Sequence, residues 1–309
     1  MKFLEQSFDR QNQFWKYVIV FLTALIGGQF LGVIPLVSVI IYKTVASGGH
    51  IAFNPKNMMD FTVFGISKNW GFFLTMLVPV ATLLMAIVLI KGLHKRSFTE
   101  TVNGTKKIRI NRILTGAAVW GILMAVYLLG DHFLNPGTYQ LQFNLSAFIP
   151  LFLITVILVP IQTTSEEFLF RGYLAQGVAG WTKSRWLAIL IPGVLFGLMH
   201  SFNPEVKEFG FLISMTQYIF YGLIFGLITV LDDGIELSIG MHAANNVFLS
   251  LFVTSSSSVL QTDAVFNQLR TIPVKETISL IIIGLIALAF FAWKYKWNFK
   301  ILNHKITNL

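Results

Sequence analysis

A chain of 309 residues that is 55% hydrophobic and 12% charged, with mean hydropathy +0.69, has too little polar surface for a water-soluble fold, in which about a quarter of residues are charged. Cysteine is absent, which excludes disulfide frameworks, thiolate zinc sites and cysteine nucleophiles. The net charge of +9 lies between apolar runs, an arrangement for anchoring on an anionic leaflet rather than for binding nucleic acid.

The chain opens with Met1–Lys16, which holds both signs of charge, including Glu5 and Asp9. The apolar run behind it exceeds the about 7–15 residues of a signal-peptide core and reads as a permanent span. A span needs about 20 mostly apolar residues. In chain order the candidates are Tyr17–Tyr42, Trp70–Ile90, Ile113–Gly130, Leu145–Gln162 and onward, Trp186–His200, Gly210–Leu231, Leu237–Thr254 and Ile278–Trp293, eight in all. Trp15, Trp70, Trp186, Trp293 and Tyr295 stand where interfacial anchors belong. The Gly- and Ser-containing stretches Ala46–Gly49 and Thr254–Ser258 read as connectors.

Basic residues set the expected orientation. Between the second and third spans lie Lys91, Lys95, Arg96, Lys106, Lys107, Arg109 and Arg112 against Glu100, a cytoplasmic signature. The next loop has Asp131 and His132 without Lys or Arg and reads as external, and the tail carries Lys294, Lys296, Lys300 and Lys305. Eight spans with both termini in the cytoplasm satisfy all three. The expected fold is an all-α polytopic membrane protein of one domain. It has three N-terminal spans over residues 1–142, a functional core over 143–256, and a last span with a basic tail over 257–309. No internal repeat is visible, which argues against the inverted-repeat transporters. A compact, cysteine-free chain without a sorting signal points to a bacterial plasma membrane.

Ionisable groups inside spans are costly, by about 2.5–3.5 kcal/mol on insertion scales, and mark functional sites by default. Here they form three short groups in the second half. In Ser165-Glu166-Glu167-Phe168-Leu169-Phe170-Arg171-Gly172, Glu167 and Arg171 are four apart and share a helical face. Glu166 is turned about 100° from Glu167, so one carboxylate is free for general acid–base work while the other pairs with Arg171. Phe196-Gly197-Leu198-Met199-His200 closes a short span, and His242-Ala243-Ala244-Asn245-Asn246 puts His242 and Asn246 on one face. Each group alone has an ordinary explanation: a helix-end salt bridge, an interfacial histidine, interhelical glue. Together they offer a base, two imidazoles and an amide. That set can hold a divalent metal such as zinc through His200 and His242 with Glu166 and Asn246. It can equally work without metal, with Glu activating water and His plus Asn stabilising an oxyanion.

The three groups resemble the CAAX prenyl protease and bacteriocin-processing family of intramembrane proteases. That pattern runs Glu-Glu-x-x-x-Arg, then Phe-x-x-x-His, then His-x-x-x-Asn or Asp. Glu166, Glu167 and Arg171, then Phe196 and His200, then His242 and Asn246 match it in order and spacing, over roughly Ala147 to Thr254. The resemblance implies an endopeptidase that hydrolyses a peptide bond of a peptide or membrane-protein substrate near the cytoplasmic face. Glu166 would activate the water and Glu167 and Arg171 would shape the site. His200 and His242 would hold metal or polarise the carbonyl, joined by Asn246. The family also has members tied to bacteriocin self-immunity, which leaves a non-catalytic membrane partner as the alternative, ahead of an ion-coupled transporter.

Depth is a geometric check. If the fourth helix runs on to about Ala179, Glu166 lies about 18–20 Å from its inner end, and His200 about 22 Å deep from Trp186. His242 comes out at only about 9 Å if its span begins at Glu236. A tilt, or a loop drawn into the membrane, would close that gap.

Overall fold

A computed structural model describes residues 3–8, 12–49, 60–105 and 107–307. Asp9 and Lys106 lie outside them. Eleven α-helices are present among the described residues: α1 (Phe14–Ala46), α2 (Lys68–His94), α3 (Phe98–Asn103), α4 (Ile110–Leu134), α5 (Leu145–Glu167), α6 (Ala175–Thr182), α7 (Arg185–Met199), α8 (Pro204–Phe209), α9 (Phe211–Asp232), α10 (Glu236–Phe252) and α11 (Pro273–Tyr295). A π-helical segment, Phe168–Leu174, joins α5 to α6 without a break, so the fourth helix does run past Ala179, to Thr182.

Each of the eight predicted spans contains a helix, and the last two residues of the seventh, Val253–Thr254, are a short strand. Six helices are long and apolar enough to cross a bilayer, with α5 to α6 counted as one. The other two are shorter: α7 has 15 residues and α10 has 17, about 22 and 26 Å at 1.5 Å per residue. The chain is an all-α, multi-pass membrane protein.

Glycines set how closely the helices approach. A Cβ on Gly240 of α10 would lie 2.0 Å from Ile113 O of α4, and one on Gly116 would lie 2.4 Å from Leu237 O. On the α7–α9 pair, a Cβ on Gly222 would lie 2.0 Å from Gly193 O. Backbones this close gain dispersion contacts that larger side chains would forbid.

One end of the bundle is tied by three short strands, β1 (Tyr139–Leu141), β2 (Val253–Thr254) and β3 (Phe266–Gln268), in the order β1-β3-β2. β1 pairs antiparallel with β3, Tyr139 opposite Gln268, and β2 runs parallel to β3 with Val253 opposite Phe266. Lys275 and Tyr139 converge there on the Asp131 carboxylate.

The other end carries the basic connection from α2 to α4, and three of its arginines turn inward. Arg96 Nη1 donates to Gln176 Oε1 at 2.8 Å. Arg109 pairs with Glu236 at 2.5 Å and with Asp232 at 3.2 Å, and Arg112 reaches Asp232 at 3.2 Å. The α9–α10 turn is therefore internal: Thr229–Asp232 and Gly234–His242 are buried. Ile235 N–H donates to Val102 O, and Asp233 accepts from Phe3 N–H, so α3 and the N-terminal segment lie over the turn. The depth gap predicted for His242 closes for this reason. α10 begins inside the protein, with Glu236 fully buried against Arg109 and Asn103.

Candidate active site

The site forms where α5 runs into the π segment and meets α7, α9 and α10. Pro150 and Pro160 interrupt α5, and each removes a backbone donor from the helix ladder. The π segment starts directly after Glu167, and all seven of its residues are buried. Such widened turns recur at functional sites. Here α1, α3, α7 and α9 enclose this one.

His242 stands between the two carboxylates. Its Nδ1 is 2.8 Å from Glu167 Oε1, which also accepts from Arg171 Nη1 at 2.9 Å. Glu167 and Arg171 are 0% and 1% exposed, whereas Glu166 is 28% exposed. A carboxylate paired with a guanidinium accepts, so Nδ1 of His242 carries the proton and Nε2 presents its lone pair. That lone pair lies 3.7 Å from Glu166 Oε2 and 3.4 Å from Asn246 Nδ2. The 100° rule places the carboxylates on unrelated faces. They do point apart, yet one imidazole spans the space between them.

Arg171 is held on three sides. Besides Glu167, Nη2 donates to Tyr221 O at 3.3 Å, and the guanidinium sits 3.9 Å from the Phe196 ring centroid. Phe196 packs edge-on to His242, with centroids 6.0 Å apart, and against His200 at 4.7 Å. His200 stacks on Tyr218 at 4.4 Å, and its Nδ1 donates to Phe196 O at 2.8 Å. Both imidazoles thus have Nδ1 committed and Nε2 available.

The structure brings Glu166, Glu167, Arg171, His242 and Asn246 into one hydrogen-bonded cluster, and brings His200 to it through Phe196. Sequence reading missed four supporting side chains. Gln162 Nε2 donates to Glu166 Oε1 at 2.5 Å, and Gln162 Oε1 accepts from Asn246 Nδ2 at 3.0 Å. Asn245 Nδ2 donates to Asn246 Oδ1 at 3.0 Å, while Asn245 Oδ1 accepts from Trp120 Nε1 at 3.2 Å and from Tyr221 O–H at 2.8 Å. A glutamine one turn before Glu166, inside an apolar run, was the signal available for the first. Trp120 and Tyr221 carried none, because aromatic residues are routine in membrane helices.

A family model, Rce1-like type II CAAX prenyl endopeptidase, matches residues 145–248, which include Gln162 and every predicted site residue. The uncharacterized protein YyaK of Bacillus subtilis (strain 168) is 31% identical over 291 residues, spanning 93% of this chain and 94% of its own. The chain belongs to the Rce1-like type II CAAX prenyl endopeptidase family. Its family is one of endopeptidases, and peptide in a lipid bilayer is the corresponding substrate setting. No solved structure matches the chain.

A divalent ion such as zinc finds only part of what it needs here. Imidazoles with Nδ1 on a protein oxygen and Nε2 available are held as metal ligands are. Yet among the described residues no three His, Asp or Glu side chains gather into a set that could hold an ion. His200 and His242, with Glu166 and Asn246, are the residues that would hold such an ion, which would polarise a carbonyl or acidify a bound water.

Proposed function

We propose that the protein is an intramembrane endopeptidase in which Glu166 activates a water molecule held against His242. The observation that carries this is the 3.7 Å gap between Glu166 Oε2 and His242 Nε2. One water oxygen about 2.8 Å from each would subtend an angle near 80°, so its two hydrogens can point at the two acceptors. Glu166 takes one proton as the water oxygen attacks the scissile carbonyl carbon. The same carboxylic acid then returns that proton to the amide nitrogen as the C–N bond breaks.

Glu167 and Arg171 supply orientation. They fix the His242 tautomer that leaves Nε2 as an acceptor, the arrangement a water-positioning imidazole needs. The developing oxyanion needs an N–H donor, for which Asn246 Nδ2, beside His242 Nε2 at 3.4 Å, is at hand. Glu166 lies 16 residues from Thr182, on the order of 24 Å along the helix, toward the basic end of the bundle. The excess of Lys and Arg at that end supports placing it, and both termini, on the cytoplasmic side.

The test is cleavage of a peptide library by the full chain in proteoliposomes, comparing wild type, Glu166→Gln and His242→Ala, with metal content measured on the same samples. Loss of cleavage in both variants, with folding intact, is the expected result. Wild-type rates from Glu166→Gln would sink the proposal. A deletion phenotype rescued equally by Glu166→Gln, with no peptide ever cut, would show a protein that works by binding. Stoichiometric bound metal would replace the side-chain mechanism with a metal-assisted one.

A further inference from the structure

The amides around Glu166 form a chain whose direction is determined at both ends. Indole N–H is a donor only, so the Asn245 atom facing Trp120 Nε1 at 3.2 Å is the carbonyl oxygen. Asn245 then offers its NH2 to Asn246 Oδ1, and Asn246 offers its own to Gln162 Oε1, each at 3.0 Å. Gln162 is left with its NH2 facing Glu166, 2.5 Å from Oε1. An ionised carboxylate is an acceptor only, so no amide in the row can be flipped without setting two acceptors or two donors against each other. The row starts on α4 at Trp120, outside the segment matched by the family model, crosses α10 and ends on α5.

We propose that Gln162 is the positioning residue of the active site: it commits Glu166 Oε1 to the protein and leaves Oε2 as the oxygen that faces His242 and the attacking water. This rests on the reading of Glu166 given above. Gln162 is buried, at 8% exposure, and both of its polar atoms are used on site residues. Without it the Glu166 carboxylate, 28% exposed, is free to rotate about its last torsion, which is broad for glutamate. Misplacing a catalytic group by about 1 Å can slow a reaction about 100-fold. Gln162 touches neither water nor substrate in this scheme, so its effect falls on turnover rather than on substrate binding.

The experiment uses the full chain in proteoliposomes with a cleavable peptide, and compares wild type, Gln162→Leu, Gln162→Glu and Glu166→Gln. Gln162→Leu keeps much of the volume and removes both hydrogen bonds. Its kcat should fall about 10- to 100-fold with KM within about twofold. Gln162→Glu is nearly isosteric and places a second carboxylate against Glu166. His242 from α10, His200 from α7, and Glu167 with Arg171 one turn along are the other charged or titratable groups around Glu166. They are unchanged in this variant, so the acid limb of the kcat/KM profile should move to higher pH. A merely structural glutamine would lower the amount of folded protein and leave kcat and KM, measured per folded molecule on the pH-independent plateau, where they were. If Gln162→Leu fails to fold, the plateau kcat of Gln162→Glu decides, because that variant also loses the donor to Glu166 Oε1. A fall of about 10-fold or more with KM within about twofold supports the inference, and a wild-type kcat overturns it. Inactive Glu166→Gln beside wild-type kcat and pH limb in both Gln162 variants would overturn the inference and leave the Glu166 reading standing. Wild-type cleavage by Glu166→Gln would remove both.

Discussion

Replacing Arg171 with methionine tests whether the Glu167–Arg171 pair is an energetic unit as well as a geometric one. The substitution keeps an apolar stem against Phe196 and deletes the guanidinium. Glu167 is then a carboxylate at 0% exposure with His242 Nδ1 as its remaining partner. Unit charges about 4 Å apart at an effective dielectric of about 20 attract by about 4 kcal/mol. Breaking one side of a buried pair typically costs about 3–5 kcal/mol, because the other charge is stranded. Against a total stability of about 5–15 kcal/mol, that is a large loss, on the order of 6–10 °C in Tm for a domain of this size. Glu167→Gln alone strands the cation, although Tyr221 O still accepts from it at 3.3 Å, so its loss should be somewhat smaller. Arg171→Met with Glu167→Gln removes both charges and should recover most of the stability, giving a coupling of about 3 kcal/mol in the double-mutant cycle. Cleavage should not recover with it, because a neutral amide at position 167 no longer holds His242 by a charge. Thermal unfolding of the four proteins in one detergent gives the cycle. Single variants within about 1 °C of wild type, or a coupling below about 0.5 kcal/mol, would refute the reasoning.

Two further predictions concern packing and protonation away from the reacting atoms. A Cβ on Gly240 would meet Ile113 O at 2.0 Å, so Gly240→Ala should cost about 1–3 kcal/mol by overpacking, and a larger side chain such as leucine should push α10 from α4 and abolish cleavage. Unfolding and peptide assays on the two variants check this. A wild-type Tm for Gly240→Ala would show that the helices are not in backbone contact. Burial pushes the Glu205 carboxyl above its ordinary range, opposed by the hydrogen bond from Val259 N–H. The folded state therefore holds that proton more tightly than the unfolded chain. The stability it contributes is complete below about pH 4.3, the ordinary glutamate value, and is lost as pH rises through the raised one. Glu205→Gln should match wild type near pH 4 and exceed it at about pH 7 in a series of Tm measurements, and identical pH profiles would contradict this.

Much of the site was legible because its chemistry is rare where it stands. Glu166, Glu167, Arg171, His242 and Asn246 are conspicuous in apolar helices, and the i, i+4 rule paired Glu167 with Arg171 correctly, at 2.9 Å. The same rule could not show that His242 lies between the carboxylates, because that contact joins residues 75 apart. Gln162 was legible as a polar residue in an apolar run, but Tyr221 and Trp120 were not: each is a common residue type whose importance lies in the atom it faces. The basic stretch reads as a topology signal, yet Arg96, Arg109 and Arg112 are also internal partners. Charge count cannot tell an arginine that meets lipid headgroups from one that closes over a buried glutamate.

By itself, the sequence determined that this protein is helical and lives in a membrane. In hydrocarbon every backbone polar group must be satisfied within its own segment, and long apolar runs leave only helices for that. It also determined which side chains are too expensive to be there without a purpose. The tertiary structure decided how they meet. Glycine contacts draw α10 against α4, inward-facing arginines pull the α9–α10 turn beneath the surface, and His242 thereby reaches the depth of Glu166 and Glu167. Depth and convergence depend on where a loop is anchored, and that anchor is a set of long-range ion pairs and hydrogen bonds that no local periodicity encodes.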